Sequence, residues 1–304
     1  MVFNEPLQYL IQDMKITGLT IIRNAVKNDY PVVESISSIL PVVDEMIVAI
    51  DPGEDNTVQL IESIASPKIR IVHTIWDMTL RKGGQILAVE TNKALTEVSA
   101  DTDWVFYIQA DEVIHEQYHP AILAAAKKYL DNRKVEGLLF KYLHFYGTYD
   151  YVGDSRKWYN CETRIIRNDL SITAYRDAQG FRKGETKLNV AAIEAYVFHY
   201  GWVRSPFQMK QKQKNVSRYW VEDGEALDAF LTSEDHYDFT EYDSLDNYKG
   251  THPAVMIPRI KKQNWKLILD TGKKKMNFKN MFLYWFEKVT GKRLFTFSNH
   301  RIVG

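Results

Sequence analysis

Hydrophobic and polar positions alternate along the first half of the chain in a way that predicts strands and helices in turn. Apolar runs rich in β-branched and aromatic residues, typical of buried strands, occur in ITGLTIIRNA, DEMIVAID, IRIVHT and WVFYIQ. Between these runs, apolar residues recur at helical spacing in YPVVESISSIL, TVQLIESIA and GQILAVETNKALTEV. The helix-like HPAILAAAKKYLDNR and the strand-like VEGLLFKYLHFYG continue the order to about residue 145. The alternation predicts an α/β fold with a mostly parallel sheet flanked by helices.

From about residue 146 the pattern changes, and it predicts a mixed-sheet extension made of short aromatic strands in YNCETRIIRN, SITAYRDA and EAYVFHYGW. A polar helix is predicted in SPFQMKQKQKNVSRYWVE, further helices in HPAVMIPRIKKQ and NMFLYWFEKVTGK, and a closing hairpin in RLFTFSNHRIVG. Residues 222–248 are acidic and rich in Tyr, which makes them the candidate lid. With no internal repeat or linker, we predict one domain over residues 1–220 and a C-terminal elaboration over residues 221–304 packed on it.

Composition narrows the class of protein. Hydrophobic residues make up 45% of the 304-residue chain, and 39 Lys plus Arg balance 39 Asp plus Glu, so no net charge recruits nucleic acid. The single cysteine, Cys161, excludes a zinc site built from several cysteines and fits a reducing compartment. The N-terminal sequence has no signal-peptide pattern, and no window reaches the roughly 20 apolar residues of a membrane span. We therefore expect a cytoplasmic protein that does not bind nucleic acid.

Polar residues that follow the predicted strands are the candidates for chemistry, because ligands bind beyond the carboxyl ends of parallel strands. Arg23 and Asn24 follow the first strand, Asp51 the second, and Asp111 with Glu112 the fourth. The last two carboxylates have no basic neighbour in their segment. Carboxylates that converge without basic partners favour a hard divalent cation, Mn²⁺ or Mg²⁺, which completes its shell with substrate phosphates. The alternative for each carboxylate is a role in a turn or a helix cap.

Phosphate-binding motifs are sparse. Neither G-x-x-x-x-G-K-[ST] nor G-x-G-x-x-G follows a strand. The run RKGG at residues 81–84 opens a predicted helix, where Lys82 and the helix N-terminus could hold an anion. A plain loop is the alternative.

Four blocks in order resemble the family-2 glycosyltransferases with the GT-A fold. They are LTIIRNA, EMIVAIDPGEDNTVQLIESI, KGGQILAVETNKAL and WVFYIQADE, which cover the chain well between about residues 16 and 145. The resemblance continues through CETRIIRN, YRDAQGF and VFHYGW, which look like a bacterial subgroup of that family. One departure is Gln109, which stands where most members carry the first Asp of a D-x-D motif.

The resemblance implies a GT-A-like, Rossmann-type fold with a nucleotide-sugar half at about residues 15–115 and an acceptor half at about 116–220. It implies an inverting, metal-dependent transfer of a sugar from a UDP-linked donor to a glycan or other hydroxyl acceptor, as in the synthesis of cell envelope polysaccharides. The residues that it assigns to nucleotide binding are Thr20, Arg23, Asn24, Asp51, Lys82, Gln109 and Asp111.

Individual roles follow from the same resemblance. Asp51 would bind the uracil, and Asp111 would bind the metal on the diphosphate. His199 in VFHYGW is the candidate for a late metal ligand, with a core histidine as the alternative; His252 is its rival, while His144 would line an acceptor pocket or merely pack there.

For the general base that deprotonates the acceptor we select Asp177, with Glu185 and Glu162 behind it. The alternative for Asp177 is a structural ion pair with its neighbours Arg176 and Arg182. The subgroup's His-Glu pair is replaced here by Gln179 and Gly180.

Residues 273–293, KKKMNFKNMFLYWFEKVTGKR, alternate basic and aromatic residues at helical spacing. They form either a terminal helix docked on the domain or a helix that lies on an anionic membrane surface, where a lipid-linked acceptor would be reached. Two other functions remain open at this stage. One is a sugar nucleotidyltransferase, and the other is a non-catalytic nucleotide-sugar binder, which Gln109 favours.

Overall fold

The computed structural model describes residues 14–80, 82–221 and 224–303. Its first part alternates strands with helices, as predicted. The elements are β1 (Ile16–Arg23), α1 (Val32–Ile39), β2 (Glu45–Asp51), α2 (Thr57–Glu62), β3 (Ile69–His73), α3 (Gln85–Leu95), β4 (Trp104–Tyr107), β5 (Glu112–Ile114) and α4 (His119–Lys128).

These strands form the parallel half of the sheet. The order is β3-β2-β1-β4, and every adjacent pair is parallel. Helices α1 and α4 pack on one face and α3 on the other, each contributing apolar residues to a buried cluster beneath it. The predicted α/β fold with helices on both faces is confirmed. Because the strands are parallel, their carboxyl ends lie at one edge of the sheet.

The second part extends the sheet with strands of both directions. Its elements are β6 (Gly137–Gly147), β7 (Tyr151–Gly153), β8 (Cys161–Arg167), β9 (Ile172–Tyr175), β10 (Gly180–Lys183), β11 (Thr186–Val203) and α5 (Pro206–Ser217). β8 lies antiparallel between β4 and β6, so the strand that ends near residue 145 does not continue the parallel order directly. β11 pairs in parallel with β6 and antiparallel with β5, which brings the end of β11 to the same edge.

The C-terminal part contributes α6 (Glu225–Leu231), β12 (Leu245–Asn247), α7 (Ile257–Lys261), α8 (Phe278–Thr290) and β13 (His300–Ile302). The predicted closing hairpin is wrong, because β13 pairs in parallel with β11 along residues 188–190. The two paired segments are more than 100 positions apart in the chain, so local sequence does not reveal their pairing. The lid predicted over residues 222–248 remains a prediction, and residues 222 and 223 lie outside the described part.

Candidate functional site

A cavity of about 480 Å³ opens at the carboxyl ends of β1 and β4 and is closed on the far side by α5. Five of the residues singled out in the sequence line it. They are Arg23, Gln109, Asp111, Asp177 and His199. Much of the remaining wall is aromatic, with rings from Trp76, Tyr107, Tyr159, Trp202, Tyr219 and Trp220. Aromatic rings of this kind can stack on a nucleobase or on the apolar face of a sugar.

Four of the predicted nucleotide-binding residues are not in this lining. Thr20 is fully buried inside β1. Asn24 braces the turn after β2, since its Oδ1 accepts a hydrogen bond of 2.8 Å from the Glu54 amide. Lys82 is exposed at the start of a short turn whose last residue, Gly84, donates to the Tyr219 carbonyl at 3.1 Å. That turn therefore lies at the rim of the cavity rather than in it.

Asp51, the fourth of these residues, is buried behind Arg23. The two residues are register partners at the ends of β2 and β1, and Arg23 donates to Asp51 Oδ1. The same oxygen accepts from the Gly53 amide at 2.7 Å, and Oδ2 accepts from the Trp76 amide at 2.8 Å. In this arrangement both carboxylate oxygens have protein donors. The uracil-reading role of Asp51 stays a prediction.

Glu112 has a basic partner that its own segment does not contain. Arg164 on β8 donates to both of its carboxylate oxygens at 2.8 Å, and both side chains are completely buried. Tyr142 donates to Glu112 Oε1 at 2.7 Å, and Arg164 also donates to the Gln179 carbonyl at 2.8 Å. A buried ion pair needs such additional hydrogen bonds to offset desolvation. The pair therefore ties the loop that carries Asp111 to the loop that carries Asp177.

Asp111 faces the cavity with different partners. Its Oδ2 accepts from the Lys212 ammonium on α5 at 3.1 Å, and its Oδ1 lies 3.6 Å from His199 Nε2. Burial alone would raise the pKa of Asp111. The positive charge of Lys212, together with that of Arg204, holds that pKa below its usual range. Asp111 is therefore ionised at neutral pH.

Gly201 leaves the space in which these groups meet. A Cβ built at this position would lie 2.8 Å from Asp111 Oδ2 and 2.5 Å from His199 Cε1. The Gly201 carbonyl also accepts from Lys212 at 2.9 Å and from Arg204 at 2.7 Å. Any side chain here would push the carboxylate or the imidazole out of place, which explains the glycine in VFHYGW.

Hydrogen bonds fix the tautomer of His199 through a second histidine. His144 Nε2 lies 2.8 Å from the Tyr159 carbonyl, which can only accept, so this nitrogen carries the proton. Burial holds the pKa of His144 well below its usual value, so the ring is neutral and its Nδ1 is an acceptor. His199 Nδ1, 3.2 Å away, must then be the donor. Burial also lowers the pKa of His199, so its ring is neutral and its lone pair lies on Nε2, beside Asp111.

We tested whether these residues fit the divalent cation implied by the resemblance. No group of three or more His, Cys, Asp or Glu side chains that could hold a metal occurs in the described ranges. Two lone-pair donors, Asp111 Oδ1 and His199 Nε2, do converge at 3.6 Å with no proton between them. Neighbouring ligands at about 2.0–2.2 Å from an octahedral ion lie about 3 Å apart, so the ring and the carboxylate would have to approach each other by about half an ångström to share one. The residues fit a cation that takes its other ligands from water and a bound diphosphate, and not one held by the protein alone.

The three candidates for the base differ in position. Asp177 lines the cavity in the turn between β9 and β10, and its Oδ1 accepts from the Gln179 amide at 3.4 Å. Glu162 on β8 is outside the lining, and burial, together with the charges of Glu112 and Asp177, raises its pKa to about 8. Glu185 is exposed in the turn between β10 and β11. Of the three, Asp177 alone faces the cavity.

The sequence reasoning missed Arg164, Arg204 and Lys212. Each is buried or nearly so, and each contacts a residue more than 50 positions away in the chain. Lys212 is one of three lysines in a polar helix, and nothing local separates it from Lys210 or Lys214. An Arg after the strand end, in VFHYGWVR, was the only available signal for Arg204.

Comparison with known proteins gives distant likenesses only. No family model and no curated protein matches the chain. Among solved structures, S. aureus TarS matches with a TM-score of 0.39 and 16% identity, over 67% of this chain and 39% of that one. Glucosyl-3-phosphoglycerate synthase from Mycobacterium tuberculosis, in complex with Mn²⁺, UDP and glucosyl-3-phosphoglycerate, matches with a TM-score of 0.32 and 20% identity, over 46% and 48%.

A third match is 4-diphosphocytidyl-2C-methyl-D-erythritol synthase from Anaerococcus prevotii. It has a TM-score of 0.33 and 13% identity, over 53% of this chain and 74% of that one. The chain spans well under half the length of the TarS chain. Likenesses this distant leave the function to be decided by the site.

Proposed function

We propose that this protein is a glycosyltransferase that moves a sugar from a nucleotide-sugar donor, UDP-linked by the resemblance of its sequence blocks, to a hydroxyl of a glycan acceptor. The observation that carries the proposal is one cavity whose wall holds a cationic group, Lys212, beside Asp111 and His199, and a separate carboxylate, Asp177. The first set suits a diphosphate leaving group and the second suits an acceptor hydroxyl.

The proposed reaction is a single displacement. The acceptor oxygen attacks the anomeric carbon, and the bond from that carbon to the diphosphate oxygen breaks. The electron pair of that bond leaves on the diphosphate, and the hydroxyl proton passes to Asp177. Attack opposite the leaving group inverts the anomeric configuration, so the product carries the opposite anomer from the donor.

Asp111 and His199 would hold the Mn²⁺ or Mg²⁺ that the resemblance implies. When bound, such an ion supplies charge neutralisation at the departing diphosphate. Within the protein, Asp111 supplies an ionised oxygen and His199 a lone pair on Nε2, oriented by the hydrogen bond from its Nδ1 to His144. An outer hydrogen bond of this kind is what commonly orients a metal-binding histidine.

Two rival functions make different predictions. A sugar nucleotidyltransferase needs a phosphate-binding loop rich in Gly, Arg and Lys after the first strand, and Asn24–Tyr30, NAVKNDY, is not one. A non-catalytic binder would bind the same donors without turnover.

A panel of nucleotide sugars, screened by thermal shift with and without Mn²⁺, tests the proposal. A ligand at 100 times its Kd stabilises the fold by about 2.7 kcal/mol. The best binder is then incubated with the protein, and release of the nucleoside diphosphate is followed by chromatography. We expect UDP-sugars to bind and to be turned over, slowly by water alone. Binding without any release of UDP, even with a range of glycan acceptors, would favour the binder, and formation of a nucleotide sugar from a sugar phosphate and UTP would favour the nucleotidyltransferase.

We further propose that α8 rests on an anionic membrane surface. The helix docks on the domain through buried Leu283 and through Tyr284, which donates to Asp154 at 2.5 Å. Its opposite face is apolar and exposed, with residues at i, i+4, i+7 and i+11. They are Phe278, Phe282, Trp285 and Val289.

Charge argues for an anionic membrane as the partner of this face. Residues 273–293 contain seven basic residues and one acidic residue. Lys279 and Lys292 are exposed and border the apolar stripe, which continues into Phe295 and Phe297, exposed by 88% and 70%. Aromatic side chains flanked by lysines are typical of helices that lie in the membrane interface. No helix in the part of the chain that is described is long and apolar enough to cross a membrane.

Co-sedimentation with vesicles tests this surface. We expect binding to vesicles of phosphatidylcholine with phosphatidylglycerol, weak binding to phosphatidylcholine alone, and loss of binding in Phe282→Ser/Trp285→Ser. The control, Leu170→Ser, removes an exposed apolar side chain from the turn between β8 and β9 and leaves vesicle binding unchanged. A dimer in light scattering that the double variant dissociates, with no vesicle binding, would assign the face to a second copy of this chain instead.

A further inference from the structure

Lys212 differs from the other two lysines of α5 by where its charge is held. Lys214 reaches outward to the Ser233 carbonyl and to Asp235, each at 2.8 Å, and Lys210 lies over the Phe230 ring. Lys212 instead turns into the cavity lining. The side chains of Lys212 and Lys214 are equally buried, with 13% and 12% exposed, so the two lysines differ in their partners and not in their burial. Burying an ammonium is costly unless the protein gives it partners. A buried charge of this kind indicates that Lys212 has a role in the cavity.

The hydrogen-bond inventory of Lys212 is incomplete. An ammonium has three N–H donors and no acceptor. One bonds to Asp111 Oδ2 at 3.1 Å and one to the Gly201 carbonyl at 2.9 Å. The third has no hydrogen-bond acceptor among the residues described, although the ammonium lies 4.9 Å from the centre of the Tyr30 ring. A buried donor without an acceptor is satisfied by water or by a ligand.

The charges around this ammonium leave an excess of positive charge. Asp111 is the carboxylate that contacts it, and Glu112 is already matched by Arg164. Arg204, fully buried, adds a second positive charge and donates only to backbone carbonyls, those of Asn28, Asp29, Tyr200 and Gly201. Gln109 lines the same cavity and carries no charge. Lys212 and Arg204 against Asp111 leave one positive charge in excess, which a bound anion would balance.

We propose that Lys212 binds the diphosphate of the nucleotide-sugar donor directly, so that the protein itself supplies a cation to the leaving group whether or not a divalent ion is bound. The inference rests on the proposed function and names a residue and a charge that the sequence resemblance does not assign. Lys212 and a divalent ion would share Asp111, one on each oxygen. Since like charges repel, the ammonium lowers the affinity of the empty site for the metal, and a bound diphosphate raises it again.

Gln109 lines the same cavity as Lys212 and bears on this role through its lack of charge. A site with two carboxylates binds a divalent ion more strongly than a site with one, because each adds a negative ligand. Compared with such a site, this cavity has an uncharged Gln109 in its lining and a positive charge, that of Lys212, close to Asp111. Both differences shift the neutralisation of the diphosphate from a metal toward the protein.

Calorimetric titration of the full chain with UDP and with uridine, in EDTA and in Mn²⁺, tests the proposal. We expect the native protein in EDTA to bind UDP more tightly than uridine by about tenfold or more, as a charge-assisted hydrogen bond predicts. Lys212→Met, which keeps the length of the side chain, should lose most of that preference and leave uridine affinity unchanged. Lys212→Arg should retain part of it, and the control Lys214→Met all of it.

A second readout separates this role from a merely structural one. Mn²⁺ binding without nucleotide, followed by electron paramagnetic resonance, should be stronger in Lys212→Met than in the native protein, because Asp111 is freed. Equal UDP affinity of the native protein and of Lys212→Met in EDTA would overturn the proposal, as would loss of all UDP binding by the native protein in EDTA. Failure of any nucleotide to bind, with or without Mn²⁺, would instead overturn the proposed function.

Discussion

The ends of β2 and β4 look alike in the sequence and behave differently in the folded chain. Each buried strand carries a carboxylate at the same edge of the sheet: Asp51 is the last residue of β2, and Asp111 follows β4. Asp51 receives N–H donors on both oxygens and is buried behind Arg23. Asp111 receives one ammonium and faces the cavity beside a histidine lone pair. A carboxylate whose two oxygens both accept hydrogen bonds from the protein holds a loop in place, whereas a carboxylate with fewer protein donors is available to a ligand.

The largest expected effect concerns Asp177, which lines the same cavity as Asp111. Replacing Asp177 by Asn removes the proton acceptor and keeps the shape, so transfer should fall by about 10²–10⁴-fold with UDP affinity nearly unchanged. Initial rates and calorimetry measure the two quantities. Asp169→Asn, in the adjacent turn and outside the cavity lining, is the matched control.

The pH dependence of the rate distinguishes Asp177 from Glu162. A base acts only when it is deprotonated, and the pKa of Glu162 is raised to about 8. If Glu162 were the base, the rate would rise as pH increases through about 8. We expect no such rise, and Glu162→Gln to retain transfer. Near-normal transfer by Asp177→Asn, or a product with retained anomeric configuration, would contradict the proposed displacement.

Glu112, next to Asp111 in the chain, is a second carboxylate whose oxygens are saturated by protein donors, and its pair with Arg164 can be tested. Arg164→Met leaves a buried carboxylate without its partner, which should lower the free energy of unfolding by about 3–5 kcal/mol. Urea unfolding followed by fluorescence measures this. The double variant Glu112→Gln/Arg164→Met should be more stable than Arg164→Met alone, because no charge is left unpaired. Equal stability of the single and double variants would mean that the pair does not act as a unit.

Variants of His199 and His144 test whether Asp111 and His199 together bind a metal ion. His199→Ala should weaken Mn²⁺ binding in the presence of UDP more than it lowers the melting temperature. His144→Phe keeps a ring but removes the acceptor that orients His199, and it should weaken Mn²⁺ binding by about 10–100-fold. Paramagnetic resonance titration checks both. If His199→Ala instead lowers the melting temperature strongly and leaves the affinity for Mn²⁺ unchanged, His199 is a core residue and not a metal ligand.

The smallest expected effect concerns Asp51, where the two readings of that residue diverge. A carboxylate that accepts N3–H of uracil distinguishes UDP from CDP, because cytosine lacks that donor. Asp51→Ala should lower UDP affinity by about tenfold, the value of one hydrogen bond to a charged group, and should lower CDP affinity less. If the affinity for both nucleotides falls equally, Asp51 acts only by holding Arg23 and the turn.

Local pattern was sufficient for most of the framework and for part of the site. The runs that predicted β1, β2 and β4 are buried on both faces, so each carries a strong apolar signal, while β3 at the edge is only half-buried. The residues at the ends of these strands were correctly placed at one edge. The partners of these residues could not be predicted in the same way. Glu112 seemed to lack a basic neighbour because its partner, Arg164, is 52 positions away. The C-terminal strand was mistaken for half of a hairpin because its partner β11 lies more than 100 positions earlier.

By itself, the sequence determined the parallel α/β plan, the edge at which chemistry is to be sought, and five residues that line the cavity there. The reason is that periodicity and strand ends are local properties, and parallel order converts them into a common edge. Only the tertiary structure decided which carboxylates are saturated, which nitrogen of His199 keeps its lone pair, and that Lys212 stands at Asp111. These outcomes depend on hydrogen-bond donors and acceptors that come from distant strands and from α5. No local pattern in the sequence shows which of these groups will be neighbours in the fold.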